Sequence, residues 1–72
     1  MPKLPVLSGA EVVKALERLG FEQVRQRGSH VVMRNGTAGT VVPLHREVKL
    51  GTLNGILRQA QVSADDFLAA LA

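Results

Sequence analysis

The 72-residue chain contains no cysteine, no tryptophan and no tyrosine. Without cysteine it has neither a disulfide framework nor a thiolate metal site, and it suits a reducing compartment. Phe21 and Phe67 are its two phenyl rings, and both fall where a core is expected. Surface rings on which single-stranded bases stack are therefore missing, which disfavours an RRM-type sheet. No apolar run approaches the roughly 18 residues needed to cross a bilayer. The start, Met1-Pro2-Lys3-Leu4-Pro5, lacks the apolar stretch of a signal peptide. A Walker loop, a GxSxG elbow, an HExxH pair and an EF-hand loop are all absent. The only histidines are His30 and His45, without nearby carboxylate ligands, which disfavours a zinc site. The expectation is one cytoplasmic domain over residues 1–72, with no metal, no small-molecule cofactor and no membrane association. A domain of this size has a thin core.

What the chain does have is an excess of positive charge. Nine Lys and Arg stand against six Asp and Glu, for a net charge of +3, and the sequence pI is about 10.2. This is a mild bias toward polyanions, chiefly nucleic acid. Its distribution is more telling. Between Glu22 and Leu50 lie Arg25, Arg27, Arg34, Arg46 and Lys49 against Glu22 and Glu47 alone, while Asp65 and Asp66 make the C-terminal stretch acidic.

The order of elements follows from punctuation and period. Residues 1–7, with Pro2 and Pro5, read as an extended lead-in. Ser8-Gly9-Ala10-Glu11 is a capping box, in which the Ser8 hydroxyl accepts from the Glu11 amide and the Glu11 carboxylate accepts from the Ser8 amide. Val12, Val13, Leu16 and Leu19 then make one helical stripe, and Gly20 is placed to end the helix in the left-handed region, with Phe21 folding back on its last turn. From Glu22 the period becomes two. Glu22–Arg27, His30–Asn35 and Gly39–Pro43 read as three strands, joined at Gly28-Ser29 and at Asn35-Gly36. Leu44–Leu50 is a basic loop. Gly51-Thr52 opens a second helix with Thr52 as N-cap and Leu53, Ile56, Leu57 and Ala60 as its stripe. Ser63-Ala64-Asp65-Asp66 opens a short third helix, whose first-turn acids suit the helix dipole and whose Phe67, Leu68 and Leu71 cover the core. The fold class is α+β: an α-β-β-β-α core with a three-stranded antiparallel sheet, helices on one face, and a short C-terminal helix.

A two-residue Gly28-Ser29 turn of type II′ fixes the register. Arg27 faces His30, Arg25 faces Val32 and Val24 faces Met33. Because side chains alternate, Val24, Val31 and Met33 point to the helices. Arg25, Arg27, His30, Val32 and Arg34 point to the open side. That face is basic around a histidine.

Histidine among cations suits the cleavage of RNA by its own 2′-hydroxyl. The reaction needs a base for the 2′-hydroxyl, an acid for the leaving 5′-oxygen, and cations for the phosphorane charge. His30, beside the tight Gly28-Ser29 turn, is the candidate catalytic residue. Ser29 and His45 are candidate helpers, and Arg25, Arg27, Gly28, Arg34, Arg46 and Lys49 are candidate RNA contacts. An idle surface histidine fits the local pattern as well, and solvated surface is the commoner fate of any single Arg or Lys. The missing stacking rings leave shape and backbone recognition, as in double-stranded RNA binding domains.

Five segments together resemble a known family. They are Ser8-Gly9, Leu19-Gly20-Phe21, Arg25-Gln26-Arg27-Gly28-Ser29-His30, Val42-Pro43-Leu44-His45, and Leu50-Gly51-Thr52-Leu53 with Ile56-Leu57. The pattern resembles the HicA toxins, small bacterial mRNA interferases related in fold to double-stranded RNA binding domains. The resemblance implies a type II toxin-antitoxin role. It implies that His30 is the histidine needed to cut mRNA without a metal, and that a HicB-type antitoxin covers the site. Many relatives carry a second histidine directly after the first, where this chain has Val31. Two alternatives stand beside this expectation: an RNA-binding module without catalysis, and a protein-docking module using the same sheet face.

Overall fold

The computed structural model of the chain describes residues 3–72. Met1 and Pro2, part of the expected lead-in, lie outside the described residues. The element order is α1 (Gly9–Arg18), β1 (Glu22–Arg27), β2 (His30–Asn35), β3 (Ala38–Pro43), α2 (Leu50–Ala60) and α3 (Ala64–Leu71). The sheet is antiparallel, in the order β1-β2-β3. This is the expected α-β-β-β-α core with a short final helix. No helix among the described residues is long and apolar enough to cross a membrane.

The punctuation of α1 is as its sequence dictates. The Glu11 amide donates to the Ser8 hydroxyl at 3.2 Å, and the Ser8 amide donates to the Glu11 carboxylate at 3.0 Å. The Glu11 carboxyl is held below its ordinary range, by the Ser8 backbone amide first and by the nearby Ser8 hydroxyl second. At the other end Gly20 takes φ +96°. The Phe21 and Gly20 amides donate to the carbonyls of Leu16 and Glu17, both at 3.0 Å, which completes a Schellman stop. The same stop ends α2, where the Val62 and Gln61 amides donate to Leu57 and Arg58, with Gln61 rather than a glycine in the left-handed region at φ 59°.

Two details of the helices differ from the sequence reading. The N-cap of α2 is Lys49, without a side-chain cap, and Thr52 lies inside the first turn. An antiparallel bridge between Leu7 and Val48, with the Val48 amide donating to the Leu7 carbonyl at 2.6 Å, fixes the chain just before Lys49. The helix therefore starts where the bridge releases the backbone, ahead of the residue best suited to cap it. In α3, Ser63 caps as expected and accepts from the Asp66 amide. Phe67 is fully buried and Leu71 packs on the core, but Leu68 is only half-buried. The Arg18 guanidinium ties α1 to the end of α3 by donating to the Ala70 carbonyl at 2.8 Å.

One hydrophobic cluster holds the layers together. Val12 and Leu16 from α1, Val31 and Met33 from β2, Val42 from β3, Leu53 and Ile56 from α2, and Phe67 from α3 all enter it. Thr40 is the one buried polar side chain among the described residues, and its hydroxyl donates to Gln59 at 3.1 Å.

The register of the hairpin is as read near the turn and differs beyond it. Gly28 has φ +56°, Arg27 pairs with His30, and Arg25 pairs with Val32. A bulge then falls between Gln23 and Arg25, so that Gln23, not Val24, stands opposite Met33. Val24 is 52% exposed and is not part of the core. The physical reason lies in the composition of β1. Its sequence Glu-Gln-Val-Arg-Gln-Arg offers a single apolar side chain, so no hydrophobic row holds a straight ladder in place. An edge strand of this kind takes up a bulge readily. The third strand begins at Ala38, one residue earlier than expected, with Gly36 at φ +60° in the second turn.

Candidate nucleic-acid interface and its histidines

The meander leaves one face of the sheet uncovered. Its inner residues Val31, Met33, Thr40 and Val42 are buried under the helices, whereas Arg25, Arg27, His30, Arg34 and Val41 are exposed and Val32 is half-buried. The alternation expected for β2 is thus intact. Val31, which the alternation points inward, is 2% exposed and belongs to the core.

His30 is the first residue of β2, opposite Arg27 on β1 and Pro43 on β3. On its β3 side the chain turns away after Pro43 and brings His45 back toward it. The two imidazole rings lie with centroids 6.5 Å apart and planes at 72°. Both residues are exposed. The chain's two histidines, fifteen positions apart, are thus gathered at one end of the sheet, with Arg27 beside one and Arg46 following the other.

Backbone contacts build this corner. The Leu44 amide donates to the Ser29 carbonyl at 2.6 Å, which ties the loop after β3 to the Gly28-Ser29 turn. The Gly9 amide, at the start of α1, donates to the His45 carbonyl at 2.9 Å. The approach is so close that a Cβ at Gly9 would strike the Pro43 carbonyl oxygen and lie 2.7 Å from the Leu44 Cα. Glycine is required there by contact rather than by turn geometry. The Gln26 side chain donates to the Gly28 carbonyl at 3.0 Å and stiffens the turn. Sequence reasoning marked Ser8-Gly9 without assigning Gly9 this task. No local signal carries it, because the contact joins residues more than thirty positions apart.

The remaining candidates spread outward from the histidines. Arg25 lies two residues along β1 from Arg27, about 7 Å away. Arg34 lies four residues along β2 from His30, about 13 Å away, and stands opposite Glu22. Arg27 is thus paired directly with His30, whereas Arg34 is paired with an acid. Arg46 is in the loop that follows His45, and Lys49 caps α2 beyond the buried Val48. The grooves beside α1 and between β2, β3 and Gln59 contain neither histidine, and both histidines are exposed. Among the described residues no group of three or more His, Cys, Asp or Glu is gathered as a metal site would need.

A comparison with curated proteins finds no match. A family model described as the HicA toxin of bacterial toxin-antitoxin matches residues 9–62, from the start of α1 to just past α2. That span includes the whole sheet and both histidines and covers three quarters of the chain, so the chain belongs to the HicA toxin family of bacterial toxin-antitoxin systems.

Proposed function

We propose that this toxin is an endoribonuclease that cuts mRNA on the open face of its sheet, with His30 as a catalytic acid or base. The observation that carries the reading is the placement of His30. It is exposed, stands opposite Arg27, and sits among cations at the end of a strand whose alternate residues are core. Imidazole exchanges protons near neutral pH, and guanidinium groups stabilise the charge that builds on a phosphorane. Arg25, Arg27, Arg34, Arg46 and Lys49 bind the phosphates, and the Gly28-Ser29 turn lets one of them come close to the backbone. The chemistry needs no metal or other cofactor. The whole chain, residues 1–72, acts as one unit in the bacterial cytoplasm, where cutting mRNA blocks translation.

The same face is where a HicB-type antitoxin neutralises the toxin. Val32 lies directly opposite Val41, which is 43% exposed, so an apolar strip runs between the arginines. A protein partner buries such a strip to advantage, and covering it hides His30 from RNA.

Expression of the chain beside His30→Ala, at matched levels and without antitoxin, tests this reading. Wild type is expected to arrest growth and fragment transcripts, and His30→Ala to do neither. Arrest by both variants alike would favour RNA binding without catalysis. Intact transcripts and normal growth with the wild type would remove the ribonuclease reading.

A further inference from the structure

Cleavage through the 2′-hydroxyl asks for two proton transfers on opposite sides of one phosphorus. A base removes the proton of the 2′-hydroxyl as the 2′-oxygen bonds to phosphorus. The bond from phosphorus to the 5′-oxygen breaks with its electron pair on that oxygen, and an acid supplies the proton that completes the 5′-hydroxyl. The other product is a 2′,3′-cyclic phosphate. No oxidant, reductant or further reactant is consumed. One imidazole in one place does not reach both oxygens.

We propose that His45 is a second catalytic residue, which divides this general acid–base work with His30. The proposal rests on the ribonuclease reading above and adds to it the second proton-transfer group. Three observations carry it. First, the ring centroids are 6.5 Å apart, too far for the rings to bond each other. The gap leaves room between the rings for a phosphate, with one imidazole hydrogen-bonded to the 2′-oxygen and the other to the 5′-oxygen, each over about 2.8 Å. Second, both rings are exposed on the open side of the corner and neither is consumed by the core. Third, the backbone of His45 is not that of a free loop. Its carbonyl accepts from the Gly9 amide, and the preceding Leu44 amide donates to Ser29, the residue next to His30. The positions of the two histidines are therefore set relative to one another through the Ser29–Leu44 bond, as a shared task requires. Gly9 is a positioning residue in this scheme. Arg27 and Arg46 are the charged groups nearest the pair in the pairing and in the chain, and both favour an anion between the rings.

The test uses the purified full chain and a short RNA containing a site mapped with the wild type. That RNA is made once with its natural 5′-oxygen leaving group and once with sulfur in that position, since a thiolate departs without a proton. On the oxygen substrate His45→Ala should lose about 100-fold or more in kcat and one limb of the bell-shaped rate–pH profile. Its far-UV circular dichroism should match wild type. The sulfur substrate should restore either His30→Ala or His45→Ala but not both, and the restored variant is the one that lacks the acid. The proposal is overturned if His45→Ala cleaves the oxygen substrate within about threefold of wild type with both limbs present. An equal loss on both substrates with both limbs retained would also overturn it, since that marks a structural role. In either case wild-type cleavage leaves the ribonuclease reading standing, whereas a wild type that cuts neither substrate removes both.

Discussion

Val31 and His30 are neighbours in the chain and opposites in the sheet. Val31 is 2% exposed and belongs to the cluster that holds Leu16, Leu53 and Phe67, whereas His30 is exposed beside Arg27. The same division runs along β2, with Met33 inside and Val32 and Arg34 outside. The inner face does what a thin core must do. The outer face does less for the fold: its Val32–Val41 and Arg34–Glu22 pairs are solvent-facing cross-strand contacts, each worth only a fraction of a core residue. Charges that stability does not require are what the proposed binding of RNA would use. The contrast teaches that the residues that build the core and those of the candidate site are separate sets, although the two alternate in sequence.

The largest expected effect sharpens that separation. Met33 is fully buried, and Met33→Ala should cost about 2–5 kcal/mol, against a total stability of about 4–11 kcal/mol for a domain of this length. Equilibrium urea unfolding should show its midpoint falling steeply. The His30→Ala midpoint should stay within about 0.5 kcal/mol of wild type, as for an exposed residue without structural partners. If both variants lose stability alike, the division into two faces does not hold.

Much of the fold is legible in the sequence because local chemistry and tertiary packing agree. The capping box at Ser8 and Glu11, the stop at Gly20, the positive φ of Gly28 and the burial of Val31 and Met33 each follow from a few neighbouring residues. The basic composition of the open face was legible for the same reason, since alternation carries it out from the turn. What local reasoning missed depends on distant residues. The start of α2 is set by the bridge between Leu7 and Val48, not by the capping strength of Thr52. The closeness of His30 and His45 and the work of Gly9 come from the way the loop after β3 packs on the start of α1. No pattern within one segment encodes that contact, although the family resemblance placed both motifs in one chain.

A second expectation concerns the outer face alone. If RNA phosphates lie at the histidine end, Arg27→Ala should weaken binding of a His30→Ala chain to RNA and flatten the slope of log affinity against log salt by about 0.7–0.9, one phosphate contact's worth. Arg34, about 13 Å along the strand and opposite Glu22, should give a smaller change in both. Affinity measured across a salt series checks this. An Arg34→Ala effect equal to or larger than that of Arg27→Ala would move the centre of the interface away from the histidines.

The smallest expected effect is the one that could break the comparison, because β1 is where the two faces cease to be distinct. A straight ladder would place Val24 opposite Met33 and give it the environment of Val31. The bulge instead gives that position to Gln23, whose side chain donates to Glu17 at 3.4 Å, and leaves Val24 half exposed. Exchanging valine for threonine keeps the shape and replaces one methyl by a hydroxyl, so it reports burial through polarity with little change of volume. Val31→Thr should cost about 1–3 kcal/mol, the penalty of an unpaired hydroxyl in a core, while Val24→Thr should stay within about 0.5 kcal/mol of wild type. Urea midpoints of the two variants measure the difference directly. Equal costs would return Val24 to the inner face and restore the straight register. A near-zero cost at Val24 alone means that β1 contributes its backbone to the sheet and its arginines to the open face, while its inward side, built from Gln23 and Gln26, is polar and meets α1 through the Gln23–Glu17 hydrogen bond rather than through apolar packing.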